Sequence, residues 1–240
     1  MEYIERTYRN RVASGDLTSF SVTLKESDLY ISAARDLHHE ALQSLIKWRG
    51  QLEHYISLHP DFLHSLTPCA VDPFAPAPVR LMIESSQATG IGPMSSVAGM
   101  ISEFVGKDLL SYSNDIIVEN GGDLFISRLD SDTRISIFAG QSSLSYKVSL
   151  KIHASETPLG VCTSSGTVGH SLSFGRADAV CVLSKSTALA DSAATALCNQ
   201  VTGKDDIKKT LDAGSRIAGI TGIVIIVRDA MGAWGEVELL

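Results

Sequence analysis

The stretch ALADSAATALC, residues 188–198, places one acidic residue in a run of small apolar ones. We predict a helix over about 187–201. On a helix, residues four apart share a face, so Asp191 and Thr195 lie on one stripe with Cys198. A carboxylate and a hydroxyl are hard oxygen ligands that suit Mg²⁺. The alternative is that Asp191 only lies near the helix start, where the helix dipole favours a negative charge.

The alanines around Asp191 keep that surface small, so a second backbone or a ligand can approach closely. The chain on both sides of this helix is rich in β-forming residues. Upstream we predict a strand, a Gly-Gly turn and a strand over 114–129, and further strands over 134–140, 146–154, 159–165 and 177–184. Downstream we predict an amphipathic helix over 205–217 and a hairpin that turns at DAMG, residues 229–232.

The N-terminal part mixes both kinds of element. We predict a hairpin over 18–33, a helix that ends at Pro60, a proline-rich loop over 68–78, a short strand at VRLMIE, a glycine-rich turn, and a helix from about Pro93 to Val105. The order does not alternate strictly between strand and helix, so we expect an α+β fold with largely antiparallel sheets flanked by helices. We expect one domain over 1–240, with a possible sub-division near the proline-rich loop.

Composition limits the class of protein. The chain has 240 residues, 44% of them hydrophobic, and a net charge of −7, which argues against a nucleic-acid or anionic-membrane surface. The longest apolar run, near residues 222–227, is far shorter than the roughly 20 residues of a membrane helix. The four cysteines form no CxxC pair and the first residues are charged, so we expect reduced thiols and a cytoplasmic protein.

Three other stretches have residues suited to ligand binding. In ENGGDLF (119–125), two adjacent glycines between strands allow close approach by a ligand, although taken alone they indicate an ordinary hairpin turn. In ATGIGPMSS (88–96), Gly90 and Gly92 precede a helix start that can offer free N–H groups to a phosphate. In CTSSGTVGHSLSFG (162–175), hydroxyl groups and His170 crowd one loop, but GHSLS lacks the last glycine of a hydrolase elbow.

Taken in order, these stretches resemble the ApbE family of flavin transferases. The matches are GIGPMSSVAG, ENGGDLF, TSSGTVGH and ALADSAATAL, which together cover about residues 80–200. The N-terminal 60 residues and the short length resemble a short ApbE-like sub-family of anaerobic prokaryotes, for which sulfur assimilation has been suggested in some members. The resemblance implies a T-fold-like architecture, FAD and Mg²⁺ as ligands, and transfer of FMN to a threonine or serine of an acceptor protein.

The resemblance also implies a role for each matching residue. Asp191 and Thr195 match the side-chain ligands of Mg²⁺, and His170 matches the histidine that follows the TSG segment and could orient or protonate an acceptor. The remaining matches are to nucleotide-binding segments: Gly90, Gly92, Asn120, Gly121, Gly122, Asp123, Thr163, Ser164, Ser165 and Gly166.

Two departures from the family pattern keep a second hypothesis open. His170 is followed by SLSFGRADAV and not by an Asp-Pro-x-Thr-Gly loop, and Ser95-Ser96 replaces a Lys-Gly pair. The second hypothesis is a binding module, or an accessory factor in sulfur assimilation, that keeps the fold without the transfer. A third is a structural subunit without a ligand. The oligomeric state and the acceptor stay open.

Overall fold

The computed structural model describes residues 15–167 and 174–240. The strands, in chain order, are β1 Thr18–Leu24, β2 Ser27–Ala33, β3 Ile116–Asn120, β4 Asp123–Ser127, β5 Thr133–Ser136, β6 Ser149–Ile152, β7 Leu159–Ser164, β8 Ala179–Ser184, β9 Ile220–Val227, β10 Ala230–Gly235 and β11 Glu238–Leu239. The α-helices are α1 His38–Leu58, α2 Asp61–His64, α3 Ala77–Thr89, α4 Val97–Leu109, α5 Thr187–Cys198 and α6 Ile207–Gly214.

Two sheets form the framework. Eight strands make a main sheet in the order β1-β2-β3-β4-β7-β8-β9-β10, and three make a small sheet in the order β11-β6-β5. All strand neighbours are antiparallel. The predicted α+β class with largely antiparallel sheets is therefore confirmed.

The main sheet is covered on both faces, which explains why its central strands β3, β4 and β8 are buried along their whole length. Alternate residues of a strand point to opposite faces. Val118 of β3 packs into the core beneath α1, α3 and α4, whereas its neighbour Ile117 packs against Ile135 and Leu150 of the small sheet. A third cluster joins α5 and α6 to β7, β8 and β9. The helices thus lie on one face and the small sheet on the other.

One predicted element is wrong. The run VRLMIE belongs to α3, a helix, and not to a strand. Val79, Met82 and Ile83 are buried at helical spacing, and Gly90 ends the helix in the left-handed conformation at φ 78°. A short apolar run fits either period, and in this chain packing against α4 and α5 decides it.

Other boundaries shift. The helix predicted from Pro93 begins with a 3₁₀ turn at Pro93–Ser96 and continues as α4 to Leu109. The C-terminal hairpin turns at Arg228 and Asp229, so most of DAMG belongs to β10. The strands predicted over 134–140 and 146–154 are each only four residues long, as β5 and β6. The proline-rich loop joins α2 to α3.

Candidate functional site

The helix α5 lies over β7 and β8 and packs against α4. Asp191 is 8% exposed, and Thr195, one turn further on, is half-buried. Small residues make this close packing possible. A Cβ on Gly99 of α4 would lie 2.5 Å from the carbonyl oxygen of Thr187, and one on Gly160 of β7 would lie 2.5 Å from the Cα of Thr187. Gly99 and Gly160 therefore let the backbones of α4 and β7 approach the first turns of α5 closely.

Asp191 is oriented by α4. The backbone N–H of Gly99 donates to Oδ2 of Asp191 at 2.8 Å, across 92 residues of sequence. The helix start is held separately, because the side chain of Ser186 accepts from the N–H of Leu189. Asp191 therefore does not cap its own helix, and its carboxylate points into the layer between α4, α5 and the sheet.

Asp123 brings a second carboxylate to the same layer. It begins β4, and the register that pairs Leu124 with Val161 places it beside Cys162 of β7, on the face that α5 covers. Its side chain is 7% exposed, and its Oδ1 accepts no hydrogen bond from any described residue. Such an orphaned acceptor is costly to bury, which indicates a polar or cationic occupant.

The pKa values of both carboxyl groups are raised. Burial raises the pKa of Asp191 well above its ordinary value, and the charge of Asp123 raises it further, against a smaller opposing effect of the Gly99 N–H. Burial also raises the pKa of Asp123 to about 7, with Glu119 adding to the rise and Cys162 and the Thr163 N–H opposing it. Both shifts disfavour the charged forms, and a bound cation would reverse that preference.

The Gly-Gly turn positions Asp123. Gly121 and Gly122 have φ values of 69° and 108°, which only glycine adopts easily, and they form a two-residue turn between Asn120 and Asp123. Glu119 accepts from the N–H of Gly122 at 2.8 Å, and the amide of Asn120 donates to the carbonyl oxygen of Ala98 at 3.2 Å. The segment is thus a hairpin turn that also fixes an acidic residue in the site.

The glycine-rich segment lies against α5 beside Asp191. The hydroxyl of Ser192 is 2.7 Å from that of Thr89 and 2.9 Å from that of Ser95. Gly92 has a packing role, since a Cβ there would lie 1.8 Å from the carbonyl oxygen of Ser65. That Gly90 and Gly92 border a phosphate stays a prediction.

The segment after β7 reaches the other end of α5. Ser164 is 7% exposed, lies on the same face of β7 as Cys162, and has a hydroxyl with no hydrogen-bond partner among the described residues. The N–H of Gly166 donates to Ala177, and the N–H of Phe174 donates to Asn199 at 2.8 Å. His170 lies outside the described residues, so its catalytic role stays a prediction, as do the binding roles of Thr163, Ser164, Ser165 and Gly166.

Sequence reasoning missed two residues that build the site. Glu103 of α4 is buried, and its carboxylate accepts from the N–H groups of Thr187 and Ala188 at 2.7 and 3.2 Å, at the start of α5. Ser192 connects α5 to the glycine-rich segment. Neither residue belongs to a recognisable motif, and no local signal marks a contact between distant helices.

The donor set suits a hard cation with few protein ligands. The carboxylates of Asp191 on α5 and Asp123 on β4, with the hydroxyl of Thr195 on α5, are oxygen donors of the kind that Mg²⁺ uses alongside phosphate and water. Among the described residues, no group of three or more His, Cys, Asp or Glu side chains is arranged to hold a metal. The thiols of Cys162 and Cys181 are buried with raised pKa values, which disfavours thiolate ligation.

The fold is shared with proteins of known structure. The chain has the ApbE-like fold: the flavinyl transferase ApbE of Pseudomonas stutzeri superposes with a TM-score of 0.61 at 17% identity, over 91% of this chain and 93% of that one. The Flavin Transferase ApbE of Vibrio cholerae superposes with a TM-score of 0.52 at 13% identity, over 91% and 96%.

The sequence then gives the family. The chain belongs to the family described as "AbpE bacteria", whose model matches residues 9–239. It is similar to UPF0280 proteins of Methanocaldococcus jannaschii, at 40% identity over 91% of each chain, and of Methanococcus aeolicus, at 38% over 90% of this chain and 87% of that one. Among the residues that the structure describes, no helix combines the length and apolar character needed to cross a membrane.

Proposed function

We propose that this chain binds FAD with Mg²⁺ between α4, α5 and the paired strands β4 and β7, and transfers FMN to a hydroxyl of an acceptor protein. The observation that carries the proposal is the buried pair Asp123 and Asp191, with raised pKa values and one unpartnered oxygen. The ApbE-like fold and family support the choice of ligand.

The residues present fit a divalent cation. Asp191 and Thr195 would hold it, and the charge of Asp123, which raises the pKa of Asp191, would favour its binding. Burial without a cation raises the pKa of both carboxyl groups, and for Asp191 the charge of Asp123 adds to the rise. When bound, the ion would offset negative charge on the pyrophosphate.

The chain's own residues would then position the substrate. The Gly99 N–H fixes the carboxylate of Asp191, and the Gly-Gly turn fixes Asp123. In the transfer, the acceptor oxygen bonds to the flavin-side phosphorus, the bond to the other phosphate breaks, and AMP leaves. The hydroxyl proton passes to a base, for which His170 is the candidate.

A second candidate function is FAD binding without transfer. Two observations favour it. The Asp-Pro-x-Thr-Gly loop is missing after His170, and Ser95, at the position of the usual lysine, is engaged in the Ser192 hydroxyl contact.

The test is FAD binding by fluorescence and calorimetry, with and without Mg²⁺, for wild type, Asp191→Asn and the control Asp205→Asn. Asparagine keeps an acceptor for the Gly99 N–H, so Asp191→Asn isolates the charge. We expect Mg²⁺-dependent binding that weakens at least about tenfold in Asp191→Asn and is unchanged in Asp205→Asn, an exposed acid outside the site.

Stability provides a second measurement. Mg²⁺ should raise the melting temperature of wild type and of Asp205→Asn but not of Asp191→Asn, because only a cation that binds the folded state stabilises it. Mass spectrometry of a threonine-containing acceptor, with assay of released AMP, separates the two functions. Binding without AMP release supports the second function, and no FAD binding under any divalent-cation condition refutes both.

A further inference from the structure

Asp178, just before β8, is bonded to the segment that follows β7, residues 164–167. Asp178 is 9% exposed, and its Oδ1 accepts from the hydroxyl of Thr167 at 3.0 Å. The preceding residue, Ala177, accepts from the N–H of Gly166 at 2.9 Å. The exposed Thr167 is therefore tied to a buried carboxylate, and the end of the segment 164–167 is held by it.

Asp178 is itself fixed by β9 and by the turn that follows β9. Its N–H donates to the carbonyl oxygen of Ile226 at 2.9 Å, and its Oδ2 accepts from the N–H of Arg228 at 2.5 Å. Arg228 has φ 56°, a conformation that residues other than glycine seldom adopt and that persists only where surrounding contacts hold it. The hydroxyl of Ser142 donates to the carbonyl oxygen of Arg228. The carboxylate of Asp178 is thus placed by contacts that do not involve the segment 164–167.

The segment 164–167 lies at the same end of the main sheet as Asp123. Because β4 and β7 are antiparallel, the start of β4 meets the end of β7. A Cβ on Gly122 would lie 3.9 Å from the carbonyl oxygen of Thr163. The hydroxyl of Ser164 is buried and has no hydrogen-bond partner among the described residues, as is true of Oδ1 of Asp123. Two such groups at one end of the sheet indicate that this end receives a polar ligand.

We propose that Asp178 is a positioning residue for the nucleotide, and that through Thr167 it holds the segment 164–167 in the conformation that binds FAD. This inference rests on the proposed function. Both oxygens of the Asp178 carboxylate already accept hydrogen bonds, from Thr167 and from Arg228, so Asp178 acts on the ligand through the segment and not by contact. Without the Thr167 bond, FAD binding must also order the segment, and its affinity falls.

The test is the affinity for FAD in the presence of Mg²⁺, measured by calorimetry for wild type, Thr167→Val and Thr167→Ser. Valine keeps the shape of threonine and lacks the hydroxyl. We expect the Kd for FAD to rise about tenfold in Thr167→Val, because the lost hydrogen bond has a charged acceptor, and to stay within about twofold of wild type in Thr167→Ser. The matched control is Thr23→Val, which removes the hydroxyl of another exposed threonine, bonded to Asp28 at 3.2 Å in the β1–β2 hairpin. It should leave the Kd unchanged.

Two further measurements separate positioning from a general loss of stability. The melting temperature of Thr167→Val, and its rise with Mg²⁺, should match those of wild type, because Thr167 is exposed and Asp191 is oriented by the Gly99 N–H of α4. In an Asp178→Asn background, Thr167→Val should change the Kd for FAD less than it does in wild type, as expected of two residues that act through one bond.

The outcomes distinguish this proposal from the proposed function. If wild type binds no FAD, the proposed function is refuted and this proposal with it. If wild type binds FAD and Thr167→Val binds it equally well, only the positioning role is overturned. The same holds if Thr167→Ser binds as weakly as Thr167→Val, or if Thr167→Val has the same effect with and without Asp178→Asn.

Discussion

The contact between α4 and α5 allows one prediction with a worked magnitude, the substitution Gly99→Ala. In an exposed helix, alanine is more favourable than glycine by about 1 kcal/mol. At Gly99 the new methyl would lie 2.5 Å from the carbonyl oxygen of Thr187 and 2.7 Å from the Cβ of Asp191. Overpacking of this kind costs about 1–3 kcal/mol. The helices must move apart, so we expect a net loss of up to roughly 2 kcal/mol, the clash outweighing the propensity gain.

Gly50→Ala is the matched control. Gly50 lies in α1, and a Cβ there would meet nothing within 4 Å. Its expected change is a gain of up to about 1 kcal/mol. For a chain of 240 residues, Gly99→Ala should lower the melting temperature by up to about 8 °C, and Gly50→Ala should leave it unchanged or higher.

Urea and thermal unfolding measure both variants, and calorimetry follows the Mg²⁺ affinity of Gly99→Ala. That affinity should fall, because the carboxylate of Asp191 is positioned by the same helix contact. If Gly99→Ala proves as stable as Gly50→Ala, then α4 and α5 do not approach as closely as the structure shows, and the account of the site fails with it.

Two further predictions concern stability. Glu103→Gln should lower the free energy of unfolding by about 1–3 kcal/mol, because the buried carboxylate of Glu103 caps α5. Lys107→Gln removes only the partly exposed ion-pair partner of Glu103 and should lower it by less than about 1 kcal/mol. Urea titrations measure both changes. His153 contacts Asp132 and Glu238; the pKa of His153 is raised, chiefly by Glu238, and those of the two acids are lowered. The contribution of these ion pairs to the free energy of unfolding should be largest between about pH 4.5 and 6.5. It should fall as the pH rises through the raised pKa of His153, and also as the pH drops through the lowered pKa values of the two acids. Urea midpoints measured from about pH 3 to 9 should show this profile for wild type and a flatter one for His153→Gln.

Local sequence determined the elements whose signals lie within a few residues. The Gly-Gly pair predicted the β3–β4 hairpin, because only glycine adopts its positive φ values easily. The spacing of Asp191 and Thr195 predicted their common stripe on α5, because a helix repeats every 3.6 residues. These predictions needed no knowledge of distant residues.

The VRLMIE run shows where local reading fails. Its short apolar pattern fits both a strand and a helix, and packing on α4 and α5 makes it α3. The edge strand β10 is similar: its sequence indicates a hairpin, but only the strand order shows that it ends the sheet.

The site itself is a tertiary product. In the sequence, Asp123 and Asp191 belong to separate motifs. The sheet register and the approach of α4 to α5 place both in one buried layer, where the charge of Asp123 raises the pKa of Asp191. Glu103 at the start of α5 carries no motif at all. Local conformation depends on neighbouring residues, which the sequence presents directly, whereas burial and charge coupling depend on which elements pack together, and that is decided by the whole chain.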